Sequence, residues 1–173
     1  ESDAEMTQLL QRRNYTPADT AVVYQLLLNE LVDTQDRRVP LLRREVQLMA
    51  EHWPREKSWW QACTLGGMVT LRYDMVDRGT QEPIGSALVW EMTTFGRSWR
   101  VPTAGITDFH IVESRRRQGY GLLMLYSVLK HLQEANLGLV EIQTMERNRP
   151  ARALYERVGF ALVDQGHIYR LSR

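Results

Sequence analysis

The last third of the chain switches repeatedly between the two hydrophobic periods that distinguish strands from helices. Residues 105–112 and 137–144 fit strands, whereas residues 119–135 repeat their apolar side chains at helical spacing. Residues 150–158 predict a second helix, followed by a closing strand or hairpin with its turn at Asp164-Gln165-Gly166-His167. This β-α-β-α-β order predicts an α/β architecture.

The residues before this region predict an antiparallel hairpin. Residues 69–75 alternate apolar with polar side chains, as a half-buried strand requires, and Asp77-Arg78-Gly79 is typical of a turn. Residues 84–92 then supply the second strand, and residues 95–102 are expected to form a loop. Residues 55–68 fit neither a helix nor a strand clearly.

Two helices are expected nearer the N-terminus. Thr16 and Pro17 are typical of an N-cap and a first helical position. The predicted apolar face of this first helix consists of Val22, Val23, Leu26, Leu27 and Leu31. A second helix is expected after Pro40, and its apolar stripe consists of Leu42, Val46, Met49 and Trp53.

Composition favours one globular domain and argues against several kinds of partner. At 173 residues with 43% apolar side chains, residues 1–173 can bury a core as a single domain. The net charge of +1 provides no field of one sign for nucleic acid or an anionic membrane. Cys63 is the single cysteine, and no apolar run approaches the roughly 20 residues of a membrane span. We therefore expect a cytoplasmic protein without a metal.

A glycine-containing turn connects the strand ending near Val112 to the apolar helix that follows. In Arg116-Arg117-Gln118-Gly119-Tyr120-Gly121 the glycines let the backbone approach a bulky anion, and the first amides of the helix lie at its positive end. The spacing matches neither G-x-G-x-x-G nor G-x-x-x-x-G-K-[ST], which disfavours a nucleotide-binding regulatory domain. A solvated charged turn is the plainer alternative, but the adjoining glycines favour a phosphate site.

Two motifs together resemble one family. The R-x-x-G-x-G pattern of residues 116–121 resembles the phosphate-binding motif of GCN5-related N-acetyltransferases. Residues 148–160 look like that family's N-x-x-A-x-x-L-Y-E-x-x-G-F segment, and the resemblance extends over about residues 84–171. It implies a three-layer α/β fold with a mostly antiparallel central sheet, splayed between its fourth and fifth strands, and helices on both faces.

The resemblance also implies a set of site residues. Tyr155 would protonate the CoA thiolate that leaves, and Asp108 would accept the proton of the amine, ranked ahead of His110. The base is open because Thr107-Asp108 stands where many relatives carry Glu-Asp. The residues implied in binding acetyl-CoA are Phe109, His110, Ile111, Arg116, Arg117, Gln118, Gly119, Tyr120, Gly121, Leu122 and Asn148. Plainer roles remain open, since Tyr155 fits a core position and Asn148 fits an N-cap.

The implied function is an acetyl-CoA-dependent N-acetyltransferase. Its acceptor would be a primary amine of a small molecule or peptide that attacks the thioester directly, and a homodimer is compatible with the sequence. A non-catalytic acyl-CoA-binding module is the alternative, favoured by Thr107 and disfavoured by Tyr155 and Asn148. By resemblance, the N-terminal helices shape the acceptor site, and Trp99 in the 95–102 loop is a candidate for the same role.

Overall fold

The computed structural model describes residues 2–52 and 70–171, which form seven strands and five α-helices. The strands are β1 (Tyr15–Leu27), β2 (Val46–His52), β3 (Thr70–Asp77), β4 (Pro83–Glu91), β5 (Thr103–Ile111), β6 (Leu139–Met145) and β7 (Ala161–Leu171). The helices are α1 (Ser2–Arg12), α2 (Val39–Glu45), α3 (Thr93–Trp99), α4 (Tyr120–Glu134) and α5 (Arg149–Val158). Two short 3-10 turns, Leu28–Glu30 and Glu113–Arg115, connect them.

All seven strands belong to one mixed sheet, in the order β2-β3-β4-β5-β6-β1-β7. Every neighbouring pair is antiparallel except β5 and β6, which run parallel. The connection between these two strands is α4, as a parallel pair requires a crossover. Leu123, Leu125 and Leu129 of α4 are almost fully buried, so this helix forms the centre of the core.

The elements predicted after residue 69 largely agree with the structure. The loop of the β3–β4 hairpin comprises residues 78–82, and the Asp77 carboxylate accepts hydrogen bonds from the backbone amides of Gly79 and Thr80. The helices α4 and α5 begin and end within about two residues of their expected limits, and Gly159 ends α5 in the left-handed conformation.

The first predicted helix is wrong, because residues 15–27 form strand β1. The run of apolar residues carries both periods, and the strand period is the one that is buried: Val22, Tyr24 and Leu26 face the core. β1 lies between β6 and β7, so its backbone hydrogen bonds to both neighbours outweigh the local helix signals. Pro17 falls at a register shift between β1 and β7, where a sheet tolerates proline.

Three further expectations need correction. The second helix ends at Glu45, and residues 46–52 continue as β2, paired with β3; Trp53 lies outside the described residues, as does Cys63. Of the closing strand or hairpin that was expected, the described chain has the strand and not the turn at residues 164–167, because β7 runs unbroken through Gly166 while it pairs with β1. The expected loop 95–102 contains most of α3.

Candidate active site

The strands β5 and β6 separate at the middle of the sheet. Their parallel pairing extends only over residues 103–106 of β5 and 139–142 of β6. On the other side of β5, Ser86 faces His110 while Leu88 faces Thr107, so β5 carries one extra residue there. Asp108 lies at this bulge with φ +50°, a conformation that aspartate tolerates better than most residues. The bulge therefore turns β5 away from β6.

A cleft of about 990 Å³ occupies this separation. The walls of the cleft come from the divergent ends of β5 and β6, the turn before α4 and one side of α5. The predicted residues that line it are Asp108, Phe109, Ile111, Arg116, Arg117, Gly119, Gly121, Leu122, Asn148 and Tyr155. Most of the residues expected from the two motifs are thus brought together.

Three of the predicted cofactor residues do not line the cleft. Tyr120 is buried with its hydroxyl 3.3 Å from the Glu45 carboxylate, and burial raises the pKa of its phenol. Gln118 donates its side-chain amide to the Ser114 carbonyl, and His110 has an exposed side chain opposite Ser86. Any contribution of Tyr120 and Gln118 to phosphate binding would therefore come from their backbone amides.

The turn before α4 leaves the first amides of the helix accessible from the cleft. Gly119 is the N-cap residue with φ +100°, and it offers no side chain to these amides. A Cβ added at Gly119 would lie 3.0 Å from Leu42 Cδ1, so the Leu42 side chain packs closely against the backbone at Gly119. Arg116 Nε donates to the Ile111 carbonyl at 2.9 Å, which fixes the turn to the end of β5. Such a turn fits an anion.

Tyr155 contacts both the core and the cleft. Its ring lies edge-on to Tyr24 at 5.8 Å and near Phe160 at 6.0 Å. Only 4% of the residue is exposed, and burial raises the pKa of its phenol to about 12. Tyr24 is held in turn by the Glu156 carboxylate and the Arg152 guanidinium. The two roles considered for Tyr155, packing and chemistry, are thus compatible.

Polar side chains from β6 and α5 line the same cleft. Glu141 accepts hydrogen bonds from Gln25 at 3.0 Å and from Gln143 at 3.1 Å. Asn148 caps α5, because its side-chain oxygen accepts a hydrogen bond from the Ala151 backbone amide. The side-chain amide nitrogen of Asn148 donates a hydrogen bond to Thr144 Oγ1. Asn148 is therefore the N-cap of α5, as expected, and it also lines the cleft.

Sequence reasoning missed Trp90, Arg38 and Arg157 as cleft residues. Gly105 permits the indole of Trp90 to lie over β5, since a Cβ at residue 105 would clash with Trp90 Nε1. Arg38 belongs to the segment before α2, far from either motif, and no local pattern marks it. Trp99, which was considered for the acceptor site, packs near Phe95 and is not a lining residue of this cleft.

Comparison with known proteins identifies the family. Residues 28–160 match the model of the acetyltransferase (GNAT) family. The chain therefore belongs to this family, and its mixed sheet with a parted parallel pair is a GNAT-like fold. None of the curated proteins matches the sequence.

Solved structures share this fold at low identity. A tandem GNAT protein from the clavulanic acid biosynthesis pathway is 13% identical with a TM-score of 0.68, and the match covers 95% of this chain and 57% of that one. A GCN5-related N-acetyltransferase from Sphaerobacter thermophilus is 14% identical with a TM-score of 0.66, over 96% and 55%. The chain thus spans little more than half the length of these structures.

Two further properties concern the parts of the chain that the structure describes. No helix in residues 2–52 or 70–171 has the length and apolar character needed to cross a membrane. Within the same ranges, no three or more His, Cys, Asp or Glu side chains are grouped so that they would hold a metal ion.

Proposed function

We propose that this chain transfers an acetyl group from acetyl-CoA to a primary amine of a small molecule or peptide. The observation that carries the proposal is the cleft between β5 and β6, because it joins the turn before α4 at one end to a buried tyrosine on its wall. Family membership supports the acetyl transfer, and the choice of an amine acceptor is our inference.

The cleft offers separate places for the parts of an extended thioester. The amides at the start of α4 would bind the diphosphate, since no side chain caps them and the helix end is positive. Beyond Ile106, the pairing of β5 with β6 has ended, so the β5 edge at residues 109–111 is open to the amides of the pantetheine arm. Asn148 would contact the ligand from the opposite wall.

Asp108 is our choice for the group that accepts the proton of the amine. Acetyl-CoA supplies an activated acetyl group, and a primary amine with a pKa near 10.4 must lose a proton before or during its attack. Asp108 is one of the residues that line the cleft, whereas His110 is not. Glu141 also lines the cleft, but its carboxylate already accepts hydrogen bonds from Gln25 and Gln143.

Tyr155 would donate a hydrogen bond to the sulfur that leaves. With its pKa raised to about 12 by burial, the phenol carries its proton throughout the neutral range. A thiol has a pKa near 8.5, so complete transfer from this phenol would be uphill by about 3.5 pKa units, or roughly 5 kcal/mol. We therefore propose that Tyr155 stabilises the developing thiolate, which then takes its final proton from water.

The test is release of free CoA thiol from acetyl-CoA in the presence of a panel of amines. Tyr155→Phe is expected to lower kcat by about tenfold to a hundredfold with little change in the affinity for acetyl-CoA, because one hydrogen bond to a developing charge is lost. Tyr73→Phe is the matched control, since Tyr73 is equally buried and its pKa is also raised to about 12, but it bonds to His131.

Three outcomes separate the hypotheses. A selective loss of kcat in Tyr155→Phe supports the proposed role of the phenol. Equal activity of Tyr155→Phe and Tyr73→Phe removes Tyr155 from the chemistry. Binding of acetyl-CoA without turnover of any amine favours the alternative, a non-catalytic acyl-CoA-binding module.

A further inference from the structure

Two arginines distant in sequence share one carboxylate beside the cleft. Arg38 Nε and Nη2 donate to the two oxygens of Asp36 at 3.0 and 2.7 Å, and the Arg38 amide donates to Oδ1 at 2.9 Å. Arg157, near the end of α5, donates through Nη2 to Asp36 Oδ2 at 2.8 Å. We name this group the arginine bridge.

The arginine bridge has a protected centre and accessible ends. The Asp36 side chain is 7% exposed, whereas those of Arg38 and Arg157 are 52% and 53% exposed. Hydrogen bonds from Arg38 lower the pKa of Asp36 well below its usual range, so the carboxylate stays charged and keeps both guanidinium groups oriented. The group carries two positive charges and one negative charge, which leaves one unit of positive charge on a half-exposed surface.

The arginine bridge lies where the nucleotide end of the proposed ligand would lie. Both Arg38 and Arg157 line the cleft. The guanidinium carbon and Nε of Arg38 are each 3.7 Å from the position of a Cβ built on Gly119. The bridge therefore begins at the turn proposed for the diphosphate and continues to the opposite wall at α5.

We propose that the arginine bridge binds a second, separate phosphate group, the phosphomonoester on the ribose of CoA. This inference rests on the proposed use of acetyl-CoA. A guanidinium group recognises phosphate through paired N–H donors in a fixed fork, and Arg38 uses only two of its five N–H donors on Asp36. Because the backbone amides of the turn are proposed to bind the diphosphate, the side-chain cations beside them fit an additional dianion.

Asp36 acts as a positioning residue in this site. Without an intervening carboxylate, two long cationic side chains would repel each other and lose conformational freedom only when the ligand arrives. With Asp36, their orientation is fixed before binding, which lowers the entropic cost of association. The plainer alternative is that the bridge only attaches the segment before α2 to α5, and that alternative gives no preference between ligands.

The experiment compares CoA with dephospho-CoA, which lacks only the ribose phosphomonoester. Isothermal titration is performed with the unmodified chain, Arg38→Gln, Arg157→Gln and the control Arg147→Gln. Arg147 forms a comparable ion pair with Asp19 at 2.9 Å but is not a lining residue of the cleft. The unmodified chain and the control are expected to prefer CoA by about tenfold to a hundredfold, as one or two charge-assisted hydrogen bonds provide.

Arg38→Gln and Arg157→Gln are each expected to weaken CoA binding and to leave dephospho-CoA binding within about threefold of its original value. An unchanged preference for CoA overturns the inference. So does an equal loss for both ligands, which would assign the arginines to the diphosphate or to the fold. Thermal melts without ligand identify any variant that is poorly folded, and the second arginine variant then decides. If neither ligand binds the unmodified chain, the proposed function itself fails, and the inference with it.

Discussion

Alanine at Gly119 is expected to remove CoA binding, and alanine at Gly159 provides its matched control. Both glycines are left-handed, with φ +100° and φ +108°. An alanine in this region costs about 1–2 kcal/mol. A Cβ at Gly159 would meet Leu26 Cδ1 at 3.6 Å, an ordinary contact, whereas a Cβ at Gly119 would meet Leu42 Cδ1 at 3.0 Å and require a small shift. We expect both variants to be destabilised, Gly119→Ala slightly more.

The expected change in melting temperature follows from the size of the chain. In a chain of 173 residues, 1 kcal/mol corresponds to about 2–4 °C, so Gly159→Ala should melt about 2–8 °C lower than the unmodified chain. A ligand at 100 times its Kd stabilises by about 2.7 kcal/mol, which corresponds to a rise of roughly 5–11 °C. Gly159 does not line the cleft, so this rise should be retained in Gly159→Ala.

In Gly119→Ala the rise on adding acetyl-CoA should be absent or much smaller. The new methyl group would lie 3.0 Å from Leu42 Cδ1, and the shift that relieves this contact would displace the amides proposed to bind the diphosphate. Differential scanning fluorimetry of the three proteins, with and without acetyl-CoA, measures both effects. An equal rise in all three proteins would refute the assignment of the phosphates to this turn. Loss of the rise in both variants would show that general destabilisation of the fold, not a local shift of this turn, controls binding.

Two further predictions concern proton chemistry. Burial raises the pKa of Tyr73 and Tyr155 from 10.0 to about 12, so their contribution to stability is complete below pH 10 and is lost as the pH rises through 12. The free energy of unfolding, measured by denaturant titration across this pH range, should fall by about 2–3 kcal/mol less in each Tyr→Phe variant than in the unmodified chain. The same fall in the variants and in the unmodified chain would contradict the burial argument. Asp108→Asn should lower kcat/KM for the amine about a hundredfold or more, while His110→Ala should leave it nearly unchanged. The reverse order in kinetic assays would make His110 the base.

The second half of the fold was predictable because its local signals agree with its tertiary contacts. Residues 120–134 have helical periodicity, follow a left-handed glycine and are buried over most of their apolar side chains. The first half was less predictable. In residues 21–28 apolar side chains follow one another almost without interruption, so a helix and a strand would each bury a similar number of apolar side chains. Only the positions of β6 and β7 on either side decide in favour of the strand.

The same distinction applies to the site. The motif around Gly119 and the segment from Asn148 to Tyr155 are each local in sequence, and their residues meet in the cleft as expected. The arginine bridge joins Arg38 to Arg157 across 119 positions, through Asp36. Its geometry depends on how the segment before α2 folds back over α5, and no periodicity or spacing in the sequence carries that information.

Asp108 couples the opening of the cleft to the placement of the proposed base. The extra residue in β5 turns this strand away from β6, and Asp108 at this bulge also lines the cleft that results. A substitution that changes the backbone there would alter both properties together. Asparagine tolerates the left-handed conformation at least as well as aspartate does, so Asp108→Asn removes the charge while it keeps φ near +50°. Alanine at this position would add backbone strain, and its effect on activity would not identify the base.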